Sequence, residues 1–277
     1  MVTGSRMTNR FLMCKPQYFE VSYVINPWMA DNVHRVGRAT ANVQWDALHR
    51  LIQGAAEVQL IEPEPHLPDM PFTANAGLVV GGHALVSNFR HPERQTESRH
   101  FERWFHDHGF DVLRLSREIF FEGAGDALLD RSRGCVWMGY GHRSARDAGP
   151  AIQEFFGLEV VMLELTDPRF YHLDTCFCPL PRGYVMYFPD AFSDQSKALL
   201  KDRIPAEQTI LVGEEDAKQF ACNAVNIGDK IIFNGASQPL MDELSAVGFQ
   251  PVESPLSEFL RAGGASKCLV LRLEEAL

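Results

Sequence analysis

The sequence predicts an α/β protein in which five copies of one hairpin–helix–strand unit close into a ring. Three observations carry that prediction. Turn-forming glycines (Gly82, Gly134, Gly183 and Gly228) recur at intervals of 52, 49 and 45 residues (82 to 134, 134 to 183, 183 to 228). Short apolar runs flank each turn, and each hairpin is followed by an amphipathic stretch and a further apolar run. Four units can be read in full, whereas a fifth can be assembled only from the two ends of the chain. Closure explains that last feature, because it removes exposed strand edges. An open α/β sheet would interleave strands and helices without demanding the regular spacing.

The units follow in order. Residues 73–89 read as two strands around Gly81-Gly82, then a helix over 93–108 with Phe101, Trp104 and Phe105 at core spacing, then the strand Val112–Leu115. Residues 126–140 turn near Gly134 and lead into a helix over 144–157 and the strand LEVVMLEL. Residues 172–188 turn at Gly183, with a helix over 193–203 and the strand TILVG. Residues 222–234 turn at Gly228-Asp229, with a helix over 237–247 and a strand at Pro251–Glu253. For the fifth unit, Cys268–Leu273 and Tyr23–Asn26 are expected as hairpin strands. The helix over 39–53, with Trp45, Leu48, Leu51 and Ile52 apolar, and the strand VQLIEP complete it.

No Pro/Ser-rich linker, charge block or low-complexity tract divides the chain, so a single catalytic domain over 7–277 is expected. Met1–Arg6 are set aside, since Met7 offers a second start. With 45% hydrophobic residues among 277, apolar material for a sizeable core is ample. A formal charge of −10 argues against nucleic acid or an anionic membrane and fits a small cationic substrate. No apolar run approaches the roughly 18 residues of a membrane span. Met1–Arg10 lacks the apolar centre of a secretory signal. Six cysteines in a chain of this length are not a disulfide framework. A reducing, cytoplasmic setting follows, with thiols free for the core or for chemistry. Homo-oligomers stay open.

Polar residues recur at one phase of the repeat: Asn75, Asp126, His172 with Asp174, Asn223 and Cys268, at the start of each hairpin's first strand. In a ring these positions converge on one pocket. Each also has a plainer reading. Cys268 opens the apolar strand LVLRL and would ordinarily be a small buried hydrophobe, but its Gly263-Gly264 approach lets other backbone come close. His172 and Asp174, two apart, share a face if extended; they could equally be a satisfied polar pair at a sheet end. The alternation His172, Asp174, Cys176, Cys178 invites a zinc reading, yet neighbouring strand side chains spread too far for one ion, and structural zinc takes wider Cys spacing. No metal or other cofactor is therefore expected. Glu122-Gly123-Ala124-Gly125-Asp126 sets two carboxylates around a glycine-rich bend. It lacks the lysine and helix of a phosphate loop, and a solvated turn is the alternative. Asn75 would otherwise cap a turn, and Arg94 and Arg143, flanking helix starts, would face solvent.

Taken together, FTANAGL (72–78), FEGAGD (121–126), HLDT (172–175) and the glycine-rich run to Cys268 resemble the guanidino-group-modifying superfamily of arginine deiminases, dimethylarginine dimethylaminohydrolases and amidinotransferases. The match runs in order from residue 20 to 273. It implies the fivefold pseudosymmetric α/β propeller, or pentein, closed by the two termini. The tracts MCKPQYFEVSYVINPWM (13–29), SNFRHPERQ (87–95), FYHLDTCFCPL (170–180) and RAGGASKC (261–268) are most similar to arginine dihydrolases, which take arginine to ornithine, carbon dioxide and ammonia. Deiminases typically hold an aspartate where this chain has Asn75, and that departure favours the dihydrolase outcome. Some relatives carry a second, ornithine-processing domain; with Leu277 as the last residue, that activity is not expected here.

A guanidinium carbon is a poor electrophile, and a thiolate suits its attack. The resemblance implies Cys268 as nucleophile, His172 as general acid and base, and Glu122 as the group orienting His172. It puts Asp174 on the guanidinium, Asp126 in the same anionic nest, Arg94 and Arg143 on the α-carboxylate, and Asn26 near the α-amino group. Asn75 would hold the reacting group without a full negative charge. Two alternatives remain: another reaction of the superfamily (on methylated arginine, to citrulline, or amidino transfer), and a non-catalytic ring that binds a cationic amino acid. Cys268, His172 and Glu122 together argue against the last.

Overall fold

In the computed structural model, residues 9–273 are described; Met1–Arg6, set aside above, lie outside them. Five three-stranded sheets make up the β structure of these residues. In each, the middle strand runs antiparallel to the first and parallel to the third. The sheets are Gly77–Val80, His83–Val86 and Asp111–Leu113; Ala127–Asp130, Cys135–Tyr140 and Glu159–Glu164; Phe177–Pro179, Val185–Tyr187 and Thr209–Leu211; and Val225–Ile227, Lys230–Phe233 and Gln250–Glu253. The fifth joins Leu271–Arg272, Arg10–Cys14 and Glu57–Ile61. An antiparallel pair needs only a tight turn, whereas the parallel return needs a crossover. A helix supplies it each time: Glu97–Asp107, Ala148–Phe156, Asp194–Arg203, Gln238–Ala246 and Arg38–Gln53. Gly82, Gly134, Gly183 and Gly228 all take positive φ, between 60° and 84°, which a tight hairpin turn requires.

Burial follows the expected stripes. Trp45, Leu48 and Ile52 are buried on the first long helix, as are Phe101, Trp104 and Phe105 on the next. Leu51, expected with the first set, is exposed, because it lies off the i, i+3, i+7 stripe of the other three. The helix expected from 144 begins only at Ala148. The Ser144 N–H and hydroxyl are instead spent on the carboxylate of Asp126, which competes with helix formation.

The fifth unit corrects the sequence reading. Tyr23–Asn26 is not a strand; Arg10–Cys14 takes that place, with Phe11 opposite Arg272 and Leu12 opposite Leu271. Phe11, Leu12, Met13 and Cys14 are an unbroken buried run, as a strand covered on both faces demands. Asn26 instead caps the short helix Pro27–Met29, its Oδ1 accepting from the Trp28 and Met29 N–H groups. Of Cys268–Leu273, only Leu271–Arg272 is strand, and Cys268 lies in the turn before it. The other recurring polar residues likewise precede their strands. Short helical turns at Thr73–Ala76, Gly123–Gly125 and Leu173–Thr175 carry or adjoin them. His172 and Asp174 therefore do not share a strand face.

The first strands of all five sheets line one cavity, through Leu78, Leu128, Phe177, Val225 and Leu271 among others. No helix of the described residues is long and apolar enough to cross a membrane. Leu271 is fully buried in the strand that ties the chain's end to its beginning. Leu271→Ala is expected to cost about 2–5 kcal/mol, read as a lower urea midpoint at unchanged slope. A wild-type midpoint would contradict a stabilising junction of the termini.

Candidate active site

The turns that precede the strands are packed backbone to backbone. Gly123 has φ +61°, and a Cβ there would come within 2.7–2.9 Å of Gly77 N, Ala74 O and Gly77 O. A Cβ on Gly125 would lie 2.3 Å from Asn75 Nδ2 and 3.4 Å from His172 Cγ. Both glycines of FEGAGD are thus required by close approach. The Ala74 N–H donates to Cys268 O at 3.0 Å, and the Thr73 hydroxyl bridges Leu12 O and Leu269 O. The FTANAGL turn therefore seats the cysteine loop.

Glu122 is the hub of one half of the site. Its Oε2 lies 2.7 Å from His172 Nε2 and accepts from Arg143 Nη1 at 2.9 Å, while Oε1 accepts from the Arg90 N–H. Glu122, Arg143 and His172 are each at most 2% exposed. Burial works against the carboxylate, but the Arg143 charge and the His172 hydrogen bond outweigh it and hold Glu122 well below the usual carboxylate range. Glu122 is thus an anion at any working pH and fixes which ring nitrogen of His172 faces it. Arg143 also donates to Ile25 O and stacks 4.5 Å over the Tyr171 ring. Asp126, behind this pair, accepts from the Ser144 hydroxyl at 2.6 Å and from the Leu173 N–H. Burial pushes it up to about 6, against the pull of His172.

Cys268 heads the other half. Its Sγ lies 3.6 Å from both carboxylate oxygens of Asp174 and 3.1 Å from Asn223 Nδ2. Asn223 Oδ1 accepts from the Cys268 and Ala265 N–H groups, and its Nδ2 also reaches Asp174 O. One amide thus fixes both cysteine loop and carboxylate. Burial pushes Asp174 up to about 7 despite the charge of Lys267. Burial, then the Asp174 charge, pushes the Cys268 thiol well above its ordinary value. Without a cation between them, the carboxylate suppresses ionisation of the thiol, while the thiol's hydrogen bond favours the carboxylate.

Between the halves lies a small cavity, lined by Asn26, Asn75, Arg94, Arg143 and Cys268, together with Asp69 and Tyr171. The fork of Arg94 is bidentate on Glu97 at 3.0 and 2.8 Å, and its Nη1 donates to Asn75 Oδ1 at 2.9 Å. Asp69 accepts from the Tyr23 hydroxyl at 2.8 Å, and its Oδ1 is buried without a partner. One cation serves two buried carboxylates here. Burial raises Asp69, and it raises Glu97 to about 7. Arg94, for all its burial, is held above its ordinary value by Glu97 and Asp69 and keeps its proton.

Of the nine expected site residues, five line this cavity and four pack behind them. Asn26, Asn75, Arg94, Arg143 and Cys268 line it; Glu122, Asp126, His172 and Asp174 are within one hydrogen bond or one packed turn of those. The Asn26 side chain is largely spent on backbone, donating to Ala262 O and accepting from Trp28 and Met29. Cys176 and Cys178 depart from the zinc reading, turning into the core toward Leu173 O and Ala224 O. Sequence reasoning passed over Asp69 and Glu97, and left Asn223 as a repeat position without a role. Glu97 was detectable as the i+3 partner of Arg94 on a helix. Asp69, in the irregular stretch before the first hairpin, left no periodic signal.

The buried acids predict a pH dependence. Asp174 has a folded value of about 7, above its unfolded range near 4. The folded chain therefore binds the extra proton between those values, and its contribution to stability is fully present below about 4 and lost as pH rises through 7. Urea midpoints from pH 4 to 8 should show the wild type falling relative to Asp174→Asn. Parallel curves would contradict the raised carboxyl.

A family model for eukaryotic N,N-dimethylarginine dimethylhydrolase matches residues 16–274. The bifunctional arginine dihydrolase/ornithine cyclodeaminase AgrE of Nostoc sp. is 49% identical over 266 residues, 96% of this chain and 38% of that protein. The chain thus spans under two fifths of the length of the bifunctional relatives it matches. The N(G),N(G)-dimethylarginine dimethylaminohydrolase of Mycobacterium tuberculosis is 40% identical over 267 residues, 96% of this chain and 86% of that one. A crystal structure of the N-terminal domain of ArgZ bound to substrate, an arginine dihydrolase from the ornithine-ammonia cycle in cyanobacteria, superposes with a TM-score of 0.96 at 50% identity, covering 97% of this chain and 99% of that domain. The chain belongs to the N,N-dimethylarginine dimethylhydrolase family, within the guanidino-group-modifying superfamily that also holds the arginine dihydrolases.

Proposed function

We propose that the chain is an arginine dihydrolase, converting one L-arginine and two waters into ornithine, two ammonia and carbon dioxide. The observation that carries this reading is Asn75, a neutral amide lining the same cavity as Cys268 and packed against Gly125, which the His172 ring also flanks. The half-identical ArgZ domain, described as an arginine dihydrolase, supports it.

Each residue then has a task. A guanidinium held by Asp174 brings positive charge beside Cys268, reversing what burial and the bare carboxylate do to the thiol. The Cys268 thiolate adds to the guanidinium carbon and forms a covalent intermediate. His172 protonates the departing ammonia and then takes a proton from water. Glu122 stays ionised throughout and stabilises the imidazolium. Asp126 positions rather than reacts, since its oxygens are spent on Ser144 and Leu173. Arg94 and Arg143, with their main hydrogen bonds committed to Glu97 and Glu122, meet the α-carboxylate with what remains. The free Asp69 Oδ1 accepts from the α-ammonium, and Asn26 shapes the loop beside it.

The five sheets around one cavity support a closed fivefold α/β propeller, formed by a single domain over 7–277. Six free, buried cysteines suit a reducing cytoplasm. Action on N-methylated arginine is the second reading, favoured by the matched family model.

Two experiments test the proposal. Cys268→Ser should abolish turnover and keep arginine binding; a variant retaining most of its activity would sink the mechanism. Wild type should release ornithine with two ammonia per arginine, and Asn75→Asp should shift product toward citrulline, since a carboxylate cannot donate to a neutral ureido group. Citrulline as sole wild-type product would leave a deiminase, and turnover of methylarginines alone would favour the second reading.

A further inference from the structure

Asn75 can act as proposed only if its amide faces the reacting group the right way round, and its neighbours decide which way that is. An arginine side chain has donors and no acceptor. Arg94 Nη1 stands 2.9 Å from the Asn75 amide, so the atom facing it is Oδ1 and Nδ2 is turned away. Nδ2 is buried and has no partner. It lies over the Cα of Gly125, on the side where the His172 ring packs. The donor half of the amide is thereby left buried against Gly125, which the His172 ring also flanks, with nothing of the protein's own to satisfy it.

Arg94 does not hold its own place. Its Nε and Nη2 are gripped by both oxygens of Glu97, and its guanidinium lies 4.5 Å over the Phe89 ring. Arg94 is 3% exposed and Glu97 0%. Glu97 does not line the substrate cavity. A bidentate pair with this burial leaves the guanidinium one orientation, and with it one free Nη1 edge for Asn75.

We propose that Glu97 is a positioning residue which, through Arg94, locks the Asn75 amide with its N–H₂ toward the reacting group and so sets the share of ureido intermediate carried on to ornithine. The proposal rests on the dihydrolase reading. A neutral ureido oxygen accepts a hydrogen bond from Nδ2 and stays bound for the second attack; a turned amide offers it another acceptor, and the intermediate leaves as citrulline.

The test uses the full chain at saturating arginine, with ornithine, citrulline and ammonia counted per arginine consumed. Glu97→Gln keeps the shape but can meet only one of the two Arg94 donors. Its ornithine-to-citrulline ratio should fall about tenfold, the worth of one hydrogen bond, while arginine consumption falls much less. Arg94→Lys keeps a charge and a donor but loses the fork, and should lower the ratio similarly. The double variant should be no lower than Arg94→Lys alone, because both act through one amide. A merely structural Glu97 would depress consumption and leave the ratio alone. An unchanged ratio in Glu97→Gln, or single effects that multiply in the double variant, overturns the relay. If Glu97→Gln does not fold, an unchanged ratio in Arg94→Lys overturns it. Citrulline alone from the wild type overturns instead the dihydrolase reading, and with it any role for Glu97 in choosing product.

Discussion

A carboxylate with no exposure to water survives as an anion only if its surroundings replace the water, and Glu122 is the group around which this chain arranges that replacement. Desolvation of an ion costs several kcal/mol before compensation. Glu122 recovers it from Arg143, His172 and the Arg90 N–H, three donors from three separate stretches of chain. Each donor is tied onward: Arg143 to Ile25 O in the N-terminal loop, Arg90 to Arg143 O, and His172 to the turn that carries Asp174. Geometry that would otherwise rest on loops is fixed by the penalty for leaving that charge unpaired.

The same physics gives the five acids of the site different settings. Glu122 has a full cation beside it and sits far below the carboxylate range, whereas Asp126 and Asp174 lie higher because burial prevails over their hydrogen bonds. Glu97 rises too, sharing one arginine with Asp69. Environments that push like groups apart are how a site divides its work. An anion fixed at all pH suits a partner for an imidazolium. A carboxyl poised near neutrality beside a suppressed thiol suits a pair that an arriving cation switches on.

Much of this was legible in the sequence, for reasons that can be named. The repeat was legible because hairpin turns demand positive φ, and glycine at 82, 134, 183 and 228 marks them. The convergence of the candidate residues was legible through the family motifs and because five of the polar ones share one phase of that repeat. The first strand was misplaced: Tyr23–Asn26 has strand-like residues, but Pro27 and the capping side chain of Asn26 turn the chain. The Arg10–Cys14 run looks equally like a strand or a core segment until its partner Leu271–Arg272 is known. Asp69 left no trace because irregular backbone has no period to read. Nor does a motif say what an arginine is bonded to: Arg94 and Arg143 line the small cavity, yet most of their donors serve protein carboxylates and backbone.

The position of Cys268 depends on contacts between distant parts of the chain. Cys268 lies three residues before the strand Leu271–Arg272, which pairs with Arg10–Cys14. Its carbonyl is held by Ala74, its amide by Asn223, and the next residue's carbonyl by Thr73, whose hydroxyl also reaches Leu12. The N-terminal strand, the first hairpin, the fourth hairpin and the C-terminal strand therefore meet at one thiol. None of these contacts is local in sequence, and loop closure must be complete before any can form. Parting the ends would remove the Ala74 and Thr73 anchors of the Cys268 loop and leave its links to Asn223 and Asp174.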